Sequence, residues 1–262
     1  MEATLSSAEN VPLIGELSLS LAANPRAPYV ASRAQVTSYC QQNIIAHNSS
    51  NVLQFSLADS IAWLDPKSVV IAFDIVNTSA VGPLEFLSTD MQTLFSRLQV
   101  TMGGTIVEDQ SHYNRLCCLF NKYQSQSKIL ETSAMALGTP HEMNVLPGTG
   151  DAEVEPQLWS VDHIKPERIP LNEKRRVCMR LSMSSIFAGS DRWIPLWGVN
   201  GGIKIALTLD APENVVKVNA ADGQPIQSAR FQLSAAVCLW DAVTLDTGAQ
   251  NKYLEQLARE AR

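Results

Sequence analysis

The chain has 262 residues, 45% of them hydrophobic and 18% charged, the balance of a packed globular protein with a sizeable core rather than of a disordered or fibrous one. That length suits one large domain, or one domain plus a fragment, since all-β sandwiches often run to about 250 residues. Lys and Arg number 20 against 26 Asp and Glu, and the net charge of −6 excludes a global attraction to a nucleic-acid duplex or an anionic membrane.

At the N-terminus, MEATLSSAEN lacks the basic start and apolar stretch of a signal peptide. No run approaches the roughly 18 apolar residues that a membrane span requires, so a soluble protein made in the cytosol is expected. Residues 1–35 show no sustained pattern beyond Leu13–Leu21, with Pro25 and Pro28 punctuating the exit, and read as an N-terminal arm. From there the chain becomes a series of short segments with period-two apolar alternation, the mark of a sandwich or barrel. Val69–Val76 sets Val69, Ile71, Phe73 and Ile75 on one face and Val70, Ala72, Asp74 and Val76 on the other, a strand buried on one side and partly covered on its second. Leu94–Met102 places Leu98, Val100 and Met102 against Arg97, Gln99 and Thr101. Gly103-Gly104 tolerates positive φ at both positions and predicts a tight hairpin into Thr105-Ile106-Val107.

A helix is predicted over Ser111–Gln124, where Tyr113, Leu116, Cys117, Phe120 and Tyr123 form a stripe and Ser111 is placed to cap the first turn. The span 125–175, holding Gly138, Pro140, Pro147, Gly148, Gly150, Pro156, Pro166 and Pro170, reads as a long exposed loop. Strand chemistry returns in Arg176–Met183, with Val177, Met179, Leu181 and Met183 on one face. It recurs in Gly202–Leu209, with Ile203, Ile205, Leu207 and Leu209 inward after an Asn200-Gly201-Gly202 turn. In Phe231–Leu245, Phe231, Leu233, Val237 and Leu239 keep one phase before Trp240 and Val243 break it, which predicts a bulge near Asp241. Thr247–Arg262 opens with Thr247 and Gln250 in capping-box spacing and carries Tyr253, Leu254, Leu257 and Ala261 as its stripe. No Gly, Asn or Pro stops this helix, so it is expected to run on in a longer protein.

Chemistry-bearing patterns are sparse. There is no G-x-S-x-G, Walker A, G-x-G-x-x-G or H-E-x-x-H sequence, and His141-Glu142 is followed by Asn144-Val145 where the last motif would continue. The histidines, His47, His112, His141 and His163, are scattered singly, so no metal site is expected. No catalytic, cofactor-binding or metal residue is nominated. Glu108-Asp109 reads as negative charge favouring a helix N-terminus rather than as a catalytic pair. Lys174-Arg175-Arg176 reads as a solvated strand entry rather than a contact to phosphate or an acidic neighbour. Trp159, Trp193, Trp197 and Trp240 read as core or interface rather than a sugar platform. The odd set Cys40, Cys117, Cys118, Cys178 and Cys238, without a C-x-x-C pair, reads as buried thiols rather than disulfides or zinc ligands. The sequons at Asn48 and Asn77 are attributed to chance.

Several segments carry a resemblance in order: Trp63-Leu64-Asp65-Pro66 with the strand Ser68–Asn77; Leu94–Asp109 with Tyr113-Asn114-Arg115-Leu116; Ile186-Phe187 and Ile194-Pro195-Leu196 before Gly202–Leu209; and Ala236–Leu254. Together they span most of residues 50–257. They resemble the major capsid proteins of the double jelly-roll lineage, found in large eukaryotic DNA viruses and their polinton-like and virophage relatives. The resemblance implies an all-β fold, an eight-stranded jelly-roll sandwich with one packed helix and a C-terminal helix. It makes residues 36–246 the first jelly roll, 125–175 a loop on the capsid exterior, and 247–262 a linker helix toward a second roll missing here. It further implies a viral structural protein without enzymatic activity, made in the host cytoplasm and located in the virion. Its partners would be copies of itself, as a homotrimer within an icosahedral shell, and minor capsid proteins. A roll without its second half is expected to expose an apolar flank and to self-associate. The alternatives are a lectin-like carbohydrate-binding jelly roll using Trp197 or Trp159, and a single jelly-roll vertex protein.

Overall fold

The computed structural model describes residues 30–46, 51–79, 84, 86–88, 90–123, 169–189, 192–216 and 231–260. In chain order its strands are β1 (Val30–Tyr39), β2 (Ile44–Ile45), β3 (Val52–Leu57), β4 (Trp63–Asn77), β5 (Phe95–Met102), β6 (Thr105–Ser111), β7 (Lys174–Arg180), β8 (Ile194–Pro195), β9 (Ile203–Leu209) and β10 (Phe231–Leu245). The helices are α1 (Tyr113–Tyr123), the single turn α2 (Pro212–Val215) and α3 (Thr247–Glu260). One sheet runs β1-β10-β4-β7, with β2 on β10 and β8 on β4; the other runs β3-β9-β5-β6. All pairings are antiparallel.

The alternating segments do what period two dictates. Ile71, Phe73 and Ile75 of β4 face Leu98 and Val100 of β5 and Ile203, Ile205 and Leu207 of β9 across one buried core. The Gly103-Gly104 hairpin forms, with φ of 58° and 83° at the two glycines. Gly202 is equally constrained: its φ is 69°, and a Cβ there would lie 2.4 Å from the carbonyl oxygen of Leu57.

Several expectations change on folding. Strand β1 begins at Val30, so residues 30–35 belong to the sheet and not to the arm; they show no apolar alternation because nearly all of β1 is exposed at a sheet edge. The β7 strand ends at Arg180, although Leu181 stays buried. In β10 the phase changes at Ala235, whose φ is 47°, so Phe231 and Leu233 point inward, followed by Ala236, Cys238, Trp240 and Ala242. Val237 and Leu239, expected inward, are therefore on the outer face. A second register shift falls at Leu239/Asp241, near the predicted place, but its extra residues are in β4, around Pro66–Ser68.

Helix α1 buries Tyr113 and Cys117 while Phe120 and Tyr123 are exposed, so the aromatic stripe does not pack as a whole. Helix α3 is capped by Asp246, whose carboxylate accepts from the Gly248 amide at 3.1 Å, one residue before the predicted cap Thr247. Residues 124–168, with most of the expected loop, Ala261 and the side chain of Leu257 lie outside what is described.

Register fixes a polarity. Val30 lies opposite Leu245, Trp63 opposite Val243, and Leu57 and Met102 opposite Ile203. The 58–62, 103–104 and 196–202 turns, the start of β1 and the exit into α3 thus gather at one end of the sandwich. The strand ends at Tyr39, Val52, Asn77, Phe95, Ser111, Lys174, Leu209 and Phe231 gather at the other.

Candidate assembly surfaces

At the end with the long connections, the packing is fixed by buried polar groups. Asp90 caps the 3-10 turn Met91–Leu94, accepting from the Gln92 amide at 3.0 Å, and also accepts from Asn121 Nδ2 of α1 at 2.8 Å. The Gln92 carboxamide oxygen accepts from Tyr113 Oη at 2.7 Å, Ser182 N at 2.9 Å and Ser182 Oγ at 3.0 Å. Burial pushes the Tyr113 hydroxyl well above its usual range, and likewise raises the Cys117 thiol beside it. Asn114 donates from Nδ2 to Asp210. The Tyr113-Asn114 pair thus fastens α1 to two other connections rather than presenting itself to a ligand.

Glu108 and Asp109 separate across the strand. Glu108 is buried and accepts from Ser184 Oγ at 2.6 Å, Ser185 N at 2.9 Å and Gln110 Nε2 at 2.6 Å. Asp109 takes a two-pronged contact from Arg97, Nε at 2.7 Å and Nη2 at 2.5 Å, which holds its carboxyl below the usual range. Neither serves the helix N-terminus, as the sequence suggested: successive residues of a strand point to opposite faces, and each carboxylate is taken up by other partners.

The outer face of the β1-β10-β4-β7 sheet carries apolar cross-strand rows. Tyr39, Val237, Ala72 and Cys178 form one; Thr37, Leu239, Val70 and Arg180 form the next. Val70, Val237 and Leu239 are half-buried, and Tyr39 is 75% exposed. Charged clusters flank these rows. Buried Asp74 accepts from Lys174 Nζ at 3.3 Å and Arg176 Nη1 at 2.9 Å, and Arg176 also reaches the carbonyl of Ala235 at 2.7 Å. The basic run is a solvated strand entry, as read, and in addition meets an acidic neighbour in Asp74. Arg33 joins Asp65 at 2.6 Å to Asp241 at 2.8 Å, and these contacts raise its own pKa, the Asp241 hydrogen bond most. Ser68 Oγ donates to the Asp65 carbonyl at 2.6 Å and accepts from the Asp241 amide at 2.8 Å, which gives the Asp65-Pro66 bulge its shape.

At the short-turn end the same face is covered by α3. Tyr253 packs edge-on against Trp63 at 4.9 Å and Trp197 at 6.4 Å, and the two indoles meet at 5.7 Å. Trp193, Val243 and Leu245 complete this second apolar cluster. Trp240 lies in the main core and donates to Ser38 Oγ at 3.0 Å. Trp193, Trp197 and Trp240 are thus interior or interface groups, as Trp63 is; Trp159 lies outside the described residues.

Asn77 is buried, donating from Nδ2 to the carbonyls of Ile169 at 3.0 Å and Pro170 at 3.1 Å, so its sequon is a structural clamp. Cys117 and Cys238 are buried, Cys238 with its pKa pushed up to about 12 by burial; Cys118 and Cys178 are exposed, against the reading of all five as buried. His47, Asn48, His141, Glu142 and His163 lie outside the described residues. Among the described residues, no group of three or more His, Cys, Asp or Glu is placed to hold a metal ion, and no helix is long and apolar enough to cross a membrane.

Two four-strand paths, β1-β10-β4-β7 facing β3-β9-β5-β6, define a jelly-roll sandwich. No protein-family model matches the chain, and no curated protein matches it. Among solved structures, the chain is similar to the PBCV-1 virus capsid, with a TM-score of 0.51 and 11% identity over 87% of this chain and 46% of that one. It is also similar to a chain of the Sputnik virophage (TM-score 0.49, 10% identity, 84% and 49% covered) and to the mavirus major capsid protein (0.44, 10%, 94% and 52%). The chain thus spans about half the length of these structures.

Proposed function

We propose that the chain is a viral structural protein, the first jelly roll of a major capsid subunit whose second roll follows α3. The observation that carries this reading is the two-sheet sandwich, which is similar to the PBCV-1 capsid at a TM-score of 0.51 while spanning 46% of that chain. One complete roll in about half the length fits a subunit made of two rolls side by side. A shell subunit needs a rigid sandwich and broad complementary surfaces summed over many copies, with no reactive centre. The outer rows Tyr39-Val237-Ala72 and Leu239-Val70 are the flank that a second roll would cover. Trimers of such subunits would tile the icosahedral shell of a virion, after synthesis in the host cytoplasm, with minor capsid proteins as further neighbours.

The test is to express the uninterrupted reading frame that contains residues 1–262 and measure its mass by light scattering and its outline by negative-stain microscopy. A trimer of pseudo-sixfold outline is expected. A pentamer would favour a single jelly-roll vertex protein instead, and a monomer whose glycan binding is lost in Trp197→Ala would favour a lectin-like module.

A further inference from the structure

Among the described residues, strand β1 is an unguarded sheet edge. It pairs with β10 along its length and has no strand on its other side among the described residues. Natural edges are protected by charge, proline, bulges or brevity. The β7 edge carries Lys174, Arg175, Arg176 and Arg180, and β6 carries Glu108 and Asp109. By contrast β1 runs 10 residues with the single charge Arg33, already held by Asp65 and Asp241, and its register is regular from Ser32 to Tyr39.

Its inward face is filled only toward Tyr39, where Val36 and Cys40 pack against the core and Ser38 accepts from Trp240. Ala34, Val36 and Ser38 lie opposite Ala242, Trp240 and Cys238, all buried in the main core, so they and Ser32 point into the sandwich. Yet Ser32 and Ala34 are exposed, and Val36 and Ser38 only half-buried. Small side chains leave the rim of the core open. What fits there is an extended segment with a large apolar residue at every second position and polar residues between.

The chain contains such a segment. In Leu13–Leu21, LIGELSLSL, Leu13, Leu17, Leu19 and Leu21 share one phase with Gly15 between them, and Glu16, Ser18 and Ser20 share the other with Ile14, so the pattern is strict over Glu16–Leu21. Extended, it spans about 30 Å, close to the length of β1 at about 3.3 Å per residue. Returning onto its own β1 would require the chain to reverse within residues 22–29. There Pro25 and Pro28 fix φ near −65° and bias Asn24 and Ala27 toward extended backbone. The two prolines thus disfavour that reversal and favour an edge on a second copy.

We propose that Leu13–Leu21 of one copy adds as a strand to the open edge of β1 in a second copy, its leucines closing the rim over Ser32 and Ala34. Main-chain hydrogen bonds would supply affinity, and the leucine spacing would set register. This interface rests on the open edge and the leucine spacing, and is independent of the capsid reading.

The experiment compares the full chain with its Leu17→Asp/Leu19→Asp variant by light scattering and by hydrogen exchange of the β1 amides. The full chain is expected to self-associate with slow β1 exchange, and the variant to lose both. A peptide of residues 11–23 should then bind the variant, and Ala34→Lys, which places a charge at the rim, should weaken that binding by about tenfold or more. Equal β1 exchange in the full chain and the variant would overturn the proposal. So would protected β1 amides in a monomer, which would place the segment on its own strand. Trimers of the longer gene product that survive Leu17→Asp/Leu19→Asp with unchanged β1 exchange would leave the capsid reading standing and this one refuted.

Discussion

The oxygen of the buried Gln92 side chain satisfies three donors, two of them from Ser182 and one from Tyr113. Removing it takes from the buried Tyr113 hydroxyl its 2.7 Å acceptor and from α1 its tie to Ser182, and a lost hydrogen bond of this kind costs about 1–3 kcal/mol. Gln92→Ala should therefore lower stability by about 1–3 kcal/mol, read as a lower urea midpoint with an unchanged slope. None of this was legible in the sequence. Gln92 lies 21 positions from Tyr113 and 90 from Ser182, and Glu108 lies 76 from Ser184; only the finished topology brings them together. Adjacency misled for the same reason: Glu108 and Asp109 look like a pair in one dimension and are separated by the pleat in three.

At the scale of elements, what could be read was periodicity. The spans of β5, β9 and β10 match their alternation because each buries one face, and the hairpin at Gly103-Gly104 follows from residues that accept positive φ. The bulge at Ala235 escaped, since alanine gives no sign that it will adopt φ of 47°. The edge strand β1 escaped because a strand with little buried surface needs no apolar alternation. Helix α3 illustrates the converse, a stripe that is legible while its partner is not. Tyr253 is its buried anchor, seated on Trp63 and Trp197, and Leu254 beside it is 41% exposed. A helix of 14 residues is marginal without such packing. Tyr253→Ala should accordingly release α3, with loss of helical circular dichroism and rapid proteolysis after Leu245. The urea midpoint of the sandwich should move little, because Tyr253 belongs to the outer cluster and not to the main core.

For the molecule as a whole, the decisive feature is that the last strand lies in the middle of a sheet. Strand β10 separates β1 from β4, and its ion pair from Asp241 reaches Arg33, 208 positions earlier. Chain order gave no hint of this; it follows from the jelly-roll connectivity that the resemblance implied. The consequence is that the fold cannot form piecemeal. Strand β10 buries Phe231, Leu233, Cys238, Trp240 and Val243, and fully buried large apolar side chains are worth about 1.5–3 kcal/mol each. Their sum rivals the whole net stability of a domain, about 5–15 kcal/mol, before the loss of backbone pairing on both flanks is counted. A chain ending at residue 246 keeps both sheets and should unfold cooperatively with fixed near-UV dichroism. One ending at residue 230 leaves β1 with no strand neighbour among the described residues and exposes the inner face of β4. It should collapse without fixed packing, bind a hydrophobic dye and lose its near-UV signal. Cooperative unfolding of the shorter chain would mean that the remaining strands form a core of their own, and that the central position of β10 is not what holds the sandwich together.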